Sequence, residues 1–526
     1  MFQSVPHADA ADDCLYSLDV RPWVPVADEA ARTTRVGLRD LFRGAHETSG
    51  LAVVTPPAAA ALLRVLTAMT ARITRLDQAH EGPDDWTARR NGLLDAGSFA
   101  PESVEAYFDS HSDGLRLYDP DRPFLQDPRL GTQSATTSGI NKLVLARPSG
   151  NNQVFFGHFT DADPIPVPSA DAVLHLLAQL YYGASGQCTP RTVDGRRFGN
   201  TMAGPLRRVL SCHPLATNLF RTLILGVPGP DTWPDAGPAE DVCPWERGLL
   251  PHPLTAPEAP GGLMSVLTNR HQHAVWLQPS PDGSAAVDAT ITWAHRDGHP
   301  PARDPYLIWE QAKDGSRHPR RADASRSLWR DLDRILLSDG RRNSRRPLIV
   351  DTLSALPRPA LDGLRFVTHG FDQDGQTRNR SHFTRISPPV GDLIASAGEP
   401  DAALSAVGTR QAREAAEKAA WHLQTALGSA WSAFAVPGRG NEAGGRGRQA
   451  TGPWTEAGSR LYWTAAEDVF ADLLRTSDVS AALHGFSRLA VDTFDRITAP
   501  TGGQPRGAMA RAQARGLVHC LLTDGS

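Results

Sequence analysis

Apolar and polar positions alternate with a period of two in CLYSLDVRPWVPV, residues 14–26, a strand pattern that breaks at Pro22 and Pro25. VGLRDLFRGAHE (36–47) reads as a short strand running into a helix. The period then lengthens. AAAALLRVLTAMTARITRL (58–76) carries apolar residues at helical spacing, and Pro56 and Pro57 suit its first turn. SVEAYFDSHSDGLRLYDPDRPFLQD (103–127) predicts a helix, a turn at Gly114 and a loop with two proline stops. SGINKLVLARPSGNNQVFFGHFTD (138–161) lacks helical period and reads as a long ordered loop. A helix is predicted at SADAVLHLLAQLYY (169–182), followed by GASGQCTPRTVDGRRFGNTMAGP (183–205), with five glycines and no clear period. Loops of that length inside a compact domain are usually functional or disordered.

From Leu263 to Pro388 the pattern is mainly that of strands, as in AVWLQP, DATITWAH, RPLIVDTL and LRFVTHGF. After Pro389 it turns helical, in GTRQAREAAEKAAWHLQTALGSAWSAFA, SRLYWTAAEDVFADLLRTS, SAALHGFSRLAVDTFDRIT and GAMARAQARGLVHCLLTD. Amphipathic stripes and short connections predict a bundle of about 130 residues. The expected fold is α+β: an irregular mixed α/β body over 1–388, then an all-α four-helix-bundle domain over 389–526. A flexible Gly/Arg-rich loop at about 437–453 interrupts the bundle.

At 526 residues the chain is long for one core, so two or three domains are the prior. Its formal net charge of −4 argues against a surface wholly given to a polyanion. The charge is uneven, however. DGSRHPRRADASRSLWRDLDR (314–334) and RRNSRRP (341–347) are rich in arginine, and read either as a phosphate-facing patch or as a solvated edge. The five cysteines are scattered without a CxxC pair, against both a disulfide framework and a zinc site. No apolar run reaches the roughly 18 residues of a membrane span, and acids stand where a signal peptide needs basic residues. A cytoplasmic, reducing setting is expected.

No familiar catalytic motif is present: there is no GxSxG elbow, no GxxxxGK[ST] loop and no HExxH pair. His271 and His273 stand at i, i+2, as do Asp372 and Asp374, without a further ligand in view. Asp374-Gly375 at a strand end is first of all a hairpin signal. The stretch HGFDQDGQTRNRSHF (369–383) thus begins as a strand and then places acids, amides and arginines on a turn. Glycine loops permit close approach of another backbone, which matters on DNA in the narrow, acceptor-lined minor groove. A glycine loop with a projecting hairpin of amides and small residues suits a minor-groove reader with a wedge, while two surface loops without a partner are the commoner reading of such stretches.

Taken in order, SLDVRPWVPV, GLRDLFRGAHE, LYDPDRPFLQ, NKLVLARPSGNNQVFFGH, the glycine-rich stretch running to NLFRTLILGV, and FVTHGFDQDGQTRNRS resemble the CasA family. CasA is the large subunit of Cascade, the type I-E CRISPR surveillance complex. The resemblance covers nearly the whole chain and includes the helical C-terminus. It implies a non-enzymatic subunit, with no cofactor and no metal. Its implied partners are the other Cascade subunits, the 5′ handle of the guide RNA, double-stranded target DNA and a recruited helicase-nuclease.

The resemblance also implies site residues. Gly183, Ser185 and Gly186 would approach the DNA flanking the target from its minor groove, with Gly195, Gly199 and Gly204 further along. The hairpin tip of Asp374, Gly375, Gln376 and Thr377 would supply the wedge, by Gln376 first and Gln373 second. Arg378 and Arg380 would hold phosphates, while Asp372 and Asp374 would brace the turn. Lys142, Arg147, Asn151, Asn152 and Phe155 would meet the guide handle or neighbouring subunits. Two family features are missing: a lysine between the glycine loop and the hairpin, where Arg270 and Arg296 are the cations to hand, and a cysteine cluster. Two readings from other classes stay open: a metal-dependent enzyme built on His271, His273, Asp372 and Asp374, and a scaffold whose bundle binds only proteins.

Overall fold

In the computed structural model, which describes residues 14–78, 83–149, 157–233, 241–300, 302–337, 344–374, 378–395, 404–435 and 452–523, helices and sheets are mixed throughout the first part of the chain and helices alone follow. Two compact units form: Met1–Ser325 with Asp339–Gly391, and Arg326–Ser338 with Asp392–Ser526. This differs from a single cut after residue 388, because thirteen residues of the arginine-rich stretch, 326–338, belong with the helices.

The first unit is built around the buried helix Pro56–Thr74, which the two prolines open and whose side chains are buried almost all round. Its Arg64 is fully buried and stays charged through Asp304, at 2.7 and 3.0 Å, with the Tyr306 ring 5.2 Å away. Arg64 also reaches the Ser211 hydroxyl, on the strand Leu210–Leu215. That strand pairs antiparallel with Arg365–Asp374, which pairs with Arg378–Ile386. The hairpin expected from Asp374-Gly375 is therefore anchored on a third strand, its outer end beyond the pairing with Leu210. A second sheet joins His273–Pro279 to Ala285–Trp293. Against the latter packs a two-stranded hairpin, Gly186–Val193 with Arg196–Thr201.

That hairpin occupies the stretch expected to be an irregular loop. Its alternation is hidden by a register shift between Gln187 and Arg191, around Pro190. Asp194 (φ 50°) and Gly195 (φ 73°) make its turn, the left-handed pair that a two-residue hairpin needs. RPLIVDTL also departs from its predicted strand: Leu348–Ser354 is a helix, a short apolar run having no period that separates the two.

In the second unit, Ala406–Ala435 packs against each of Pro453–Thr476, Val479–Thr498 and Pro505–Thr523. Alanines at 412, 416, 419, 426 and 430 let the helices approach closely around Leu423, Leu427, Phe470, Phe486 and Phe494. The inserted segment supplies Trp329, stacked on Phe470 at 4.7 Å and on Phe486 at 5.9 Å. Its arginines are consumed internally. Arg326 pairs with Asp331 and Glu417, Arg334 with Asp331, and Arg330 lies 3.5 Å over Trp463. Burial opposes ionisation of Glu417, but Arg326 and Arg413 outweigh it and hold the carboxyl below its ordinary range. In the first unit Arg320 pairs with Glu310 and Arg346 with Asp351. Of the phosphate-facing patch, these arginines are instead ion-paired braces. Among the described residues no helix is long and apolar enough to cross a membrane.

Candidate nucleic-acid interface

The helix Ser169–Tyr182 ends at Gly183 because the chain there must pass over His273. A Cβ on Gly183 would stand 2.6 Å from both the imidazole Cε1 and the Gln179 carbonyl oxygen. Around that point four successive carbonyls, of residues 181–184, are each held by a different donor. Leu206 N–H reaches Tyr181 O (2.9 Å), the Arg207 guanidinium Tyr182 O (2.6 Å), Gly204 N–H Gly183 O (2.9 Å) and His273 Nε2 Ala184 O (3.1 Å). The helix end thus keeps none of these acceptors unmet.

A carbonyl can only accept, so the His273 proton sits on Nε2 and leaves Nδ1 buried without a partner. Burial first, then Arg207 and Lys142, push this histidine down to about 4, against the opposing bond to Ala184. His273 is therefore neutral at physiological pH and works as a hydrogen-bonding prop.

The glycines divide by what they serve. Gly183 and Gly204 are buried and make room for the chain itself, Gly204 lying where a Cβ would meet Tyr181 O at 2.6 Å. Gly195 serves the hairpin turn, and Gly199 has only ordinary contacts with Pro190. Gly186 alone of the expected trio is exposed; its φ is +121° and a Cβ would meet nothing within 4 Å. Ser185 is half-buried between exposed Ala184 and Gly186. The outward-facing backbone is thus 184–187, centred on Gly186, while Gly183 serves as internal support.

The second element is the hairpin on Arg365–Asp374. Its ladder shifts register between Asp372 and Gln373, so that Gln373 faces Asn379 and Arg380 bulges out. Asp372 accepts the Ala324 N–H at 3.1 Å, and Arg385 donates to Ala324 O at 2.7 Å. Asp374 pairs at 3.6 Å with Arg380, both exposed, an arrangement worth little to stability. Asp372 thus ties the hairpin to the chain at Ala324, while Asp374 makes, among the described residues, only this exposed pairing. Gly375, Gln376 and Thr377 lie outside the described residues, as does the Arg378 side chain.

Gln373, second choice for the wedge, is engaged inside the protein. Its Oε1 accepts from Arg207 Nε at 3.0 Å and from Arg208 Nε at 3.1 Å. Arg207 lies 4.2 Å over the Phe371 ring, which neighbours Tyr182 and His382 at 6.1 Å each. Burial, then Arg208, lower Arg207 to about 10, so it keeps its charge at neutral pH. One guanidinium therefore touches both the carbonyl just before the glycine segment and Gln373 near the outer end of the hairpin strand. Below it, His369 and His213 lie in the sheet, burial holding His369 near 4 and His213 well under its ordinary value.

The third expected element is more internal. Arg147 donates to Ile165 O (2.7 Å) and lies 4.3 Å over Phe159, holding the loop to itself. Lys142 is exposed and close enough to the 183–188 segment to bear on both His273 and Cys188. Asn151, Asn152 and Phe155 lie outside the described residues. Arg296 lies 4.2 Å over Phe198 and donates to Asn200 O, opposite Gln187 in the hairpin register, whereas Arg270 is spent on Pro300 O.

Among the described residues no group of three or more His, Cys, Asp or Glu side chains is placed to hold a metal ion. His271 packs edge-on against Tyr181, 4.7 Å away, and burial and the neighbouring histidines bring it down to about 3. Each of the four candidate ligands has its own local setting. Arg207 and the propping role of His273 were not legible in the sequence; LRRVL carries no sign that its first arginine turns inward.

Against known proteins, the family model of CRISPR-associated protein Cse1 (CRISPR_cse1) matches residues 18–487. A chain of a solved CRISPR RNA-guided surveillance complex is 38% identical, with a TM-score of 0.84 over 96% of this chain and 99% of that one. The CRISPR-associated protein CasA/Cse1 of Thermus thermophilus is 26% identical over 331 residues, 62% of this chain and 61% of that protein. The chain thus spans about three fifths of that curated relative. Thermobifida fusca Cse1 is 18% identical and shares the fold, with a TM-score of 0.76 over 98% of this chain and 99% of that one.

Proposed function

The chain belongs to the CRISPR-associated Cse1 (CasA) family, and from that premise we propose that it is a non-enzymatic large subunit of a CRISPR RNA-guided surveillance complex. Its task is to recognise the short motif flanking the target, from the minor groove of double-stranded DNA, and to help open the duplex. It then recruits the helicase-nuclease that cuts. Its further partners are the other subunits and the 5′ handle of the guide RNA, met by the loop carrying Lys142, Arg147, Asn151, Asn152 and Phe155.

The observation that carries this reading is the pairing of an exposed, Cβ-free backbone at Gly186 with an anchored hairpin, through Arg207. The minor groove is narrow and presents mainly acceptors, so a reader needs backbone that can come close and offer N–H groups. Around Gly186 the carbonyls on the helix side are turned inward and occupied. At the hairpin, Gln376 is the wedge that parts the first base step, and Arg378 and Arg380 hold phosphates on either side. Gln373 drops out as a wedge because its carbonyl is already spoken for.

The deciding experiment is target-duplex binding by guide-loaded complex assembled with and without this chain, comparing permissive and scrambled flanks. The chain is expected to confer preference for one flank. A chain that neither joins the complex nor alters its preference would overturn the reading.

A further inference from the structure

We infer that Arg207 is a positioning residue that makes the 183–186 segment and the 365–386 hairpin one working unit, so that flank recognition at the first sets opening at the second. The inference rests on the proposed function.

Arg207 is buried, and its guanidinium is used on three sides. One N–H fixes Tyr182 O at 2.6 Å, at the carbonyl preceding Gly183. Another fixes Gln373 Oε1 at 3.0 Å, beside the register shift between Asp372 and Gln373. The flat face rests 4.2 Å from Phe371, two residues before Gln373. The neighbouring carbonyls are held by Leu206 N–H, Gly204 N–H and His273 Nε2. Gln373 Oε1 also accepts from Arg208 Nε at 3.1 Å, which leaves Arg207 as the side chain that reaches both Tyr182 O and Gln373. The supports of the hairpin, Ala324 and the strand Leu210–Leu215, do not reach the glycine segment's carbonyls. The carbonyl of Tyr182 and the amide of Gln373 thus share this one rigid, planar group. An arginine suits the task because its donors are fixed in a plane, so moving one acceptor tilts the plane and displaces the other. A lysine keeps the charge but offers one compact head and no face to stack.

The test compares Arg207→Lys and Gln373→Leu, singly and together, in guide-loaded complex on targets with permissive and scrambled flanks. Binding gives the flank preference, and a fluorescent base at the first pair to open gives the opening rate per bound complex. Arg207→Lys is expected to lower the flank preference and the opening rate together, each by about tenfold, as for loss of a charge-assisted hydrogen bond. Gln373→Leu leaves Tyr182 held, so flank preference in binding is expected to survive while the opening rate ceases to depend on the flank. The double variant is expected to open no more slowly than Arg207→Lys alone, because both changes remove the Arg207–Gln373 bond.

Independent effects that multiply, or opening by Gln373→Leu that still follows the flank, would overturn the inference. If Arg207→Lys fails to fold or to join the complex, the Gln373→Leu result decides alone. A wild-type chain that confers no flank preference would instead overturn the proposed function, and the two failures are thereby told apart.

Discussion

Arg207 Nε stands 3.0 Å from Gln373 Oε1, joining residues 166 positions apart in the chain. With a second bond from Arg208 it engages Gln373 within the protein. Through the same Arg207 guanidinium the far end of the strand Arg365–Asp374 is tied to the end of the helix Ser169–Tyr182.

Gly186→Asp is expected to abolish flank discrimination while costing the fold only about 1–2 kcal/mol, the strain of a left-handed backbone at an open site. Gly183→Ala should behave oppositely in cause. Its Cβ would press on His273 and Gln179 O, and urea unfolding should show a loss of about 1–3 kcal/mol. Discrimination retained by Gly186→Asp would move the DNA-facing backbone elsewhere.

Gln376→Ala is expected to slow duplex opening more than it weakens docking, measured by stopped-flow fluorescence against equilibrium binding. Equal loss of both would sink the wedge assignment.

The exposed Arg380 gives up only a weak pairing with Asp374 when it meets a phosphate. Arg380→Ala should therefore reduce the slope of log affinity against log salt by about one. An unchanged slope would place this side chain in solvent.

Acid should destabilise the first unit over a defined window. Burial holds His273, His299 and His369 near 4 and His271 near 3, below the unfolded value of about 6.5. The unfolded chain therefore takes protons first. Stability is whole above about pH 6.5 and falls as pH drops toward 4, by up to about 1.4 kcal/mol per pH unit for each such group. Urea midpoints at pH 7.5, 6 and 5 should fall in that order. His369→Gln should make the decline shallower; an unaltered decline would exclude His369 from it.

Trp329→Ala is expected to destabilise the helical unit by about 3–5 kcal/mol, since it removes the ring stacked on Phe470 and Phe486. Helical circular dichroism on heating should show an earlier transition. A variant that melts as the wild type does would show that residues 326–338 add nothing to the bundle's stability.

Much of the architecture could be read before any coordinates. Pro56-Pro57 and the apolar spacing after them place a helix, and the alternation of LRFVTHGF with Asp374-Gly375 places a hairpin. The long C-terminal helices follow from amphipathic spacing. The failures share a cause. The 183–205 stretch hides its strands behind Pro190 and a register shift, and RPLIVDTL is too short for its period to distinguish helix from strand. The arginine-rich stretch read equally as a phosphate-facing patch or a solvated edge, because composition does not reveal partners such as Glu417 and Asp331.

By itself, then, the sequence determined most of the elements and the all-helical end of the chain. Those features rest on interactions within a few residues, namely side-chain period, proline and glycine dihedrals and turn chemistry. Only the tertiary structure decided that Gly186 faces outward while Gly183 is buried. It alone decided that residues 326–338 join the helices, and that Gln373 turns inward to Arg207. Each of these depends on groups far apart in sequence meeting in a packed interior, where a hydrogen bond or a missing Cβ is fixed by whatever chain happens to pass, and no local pattern records which chain that is.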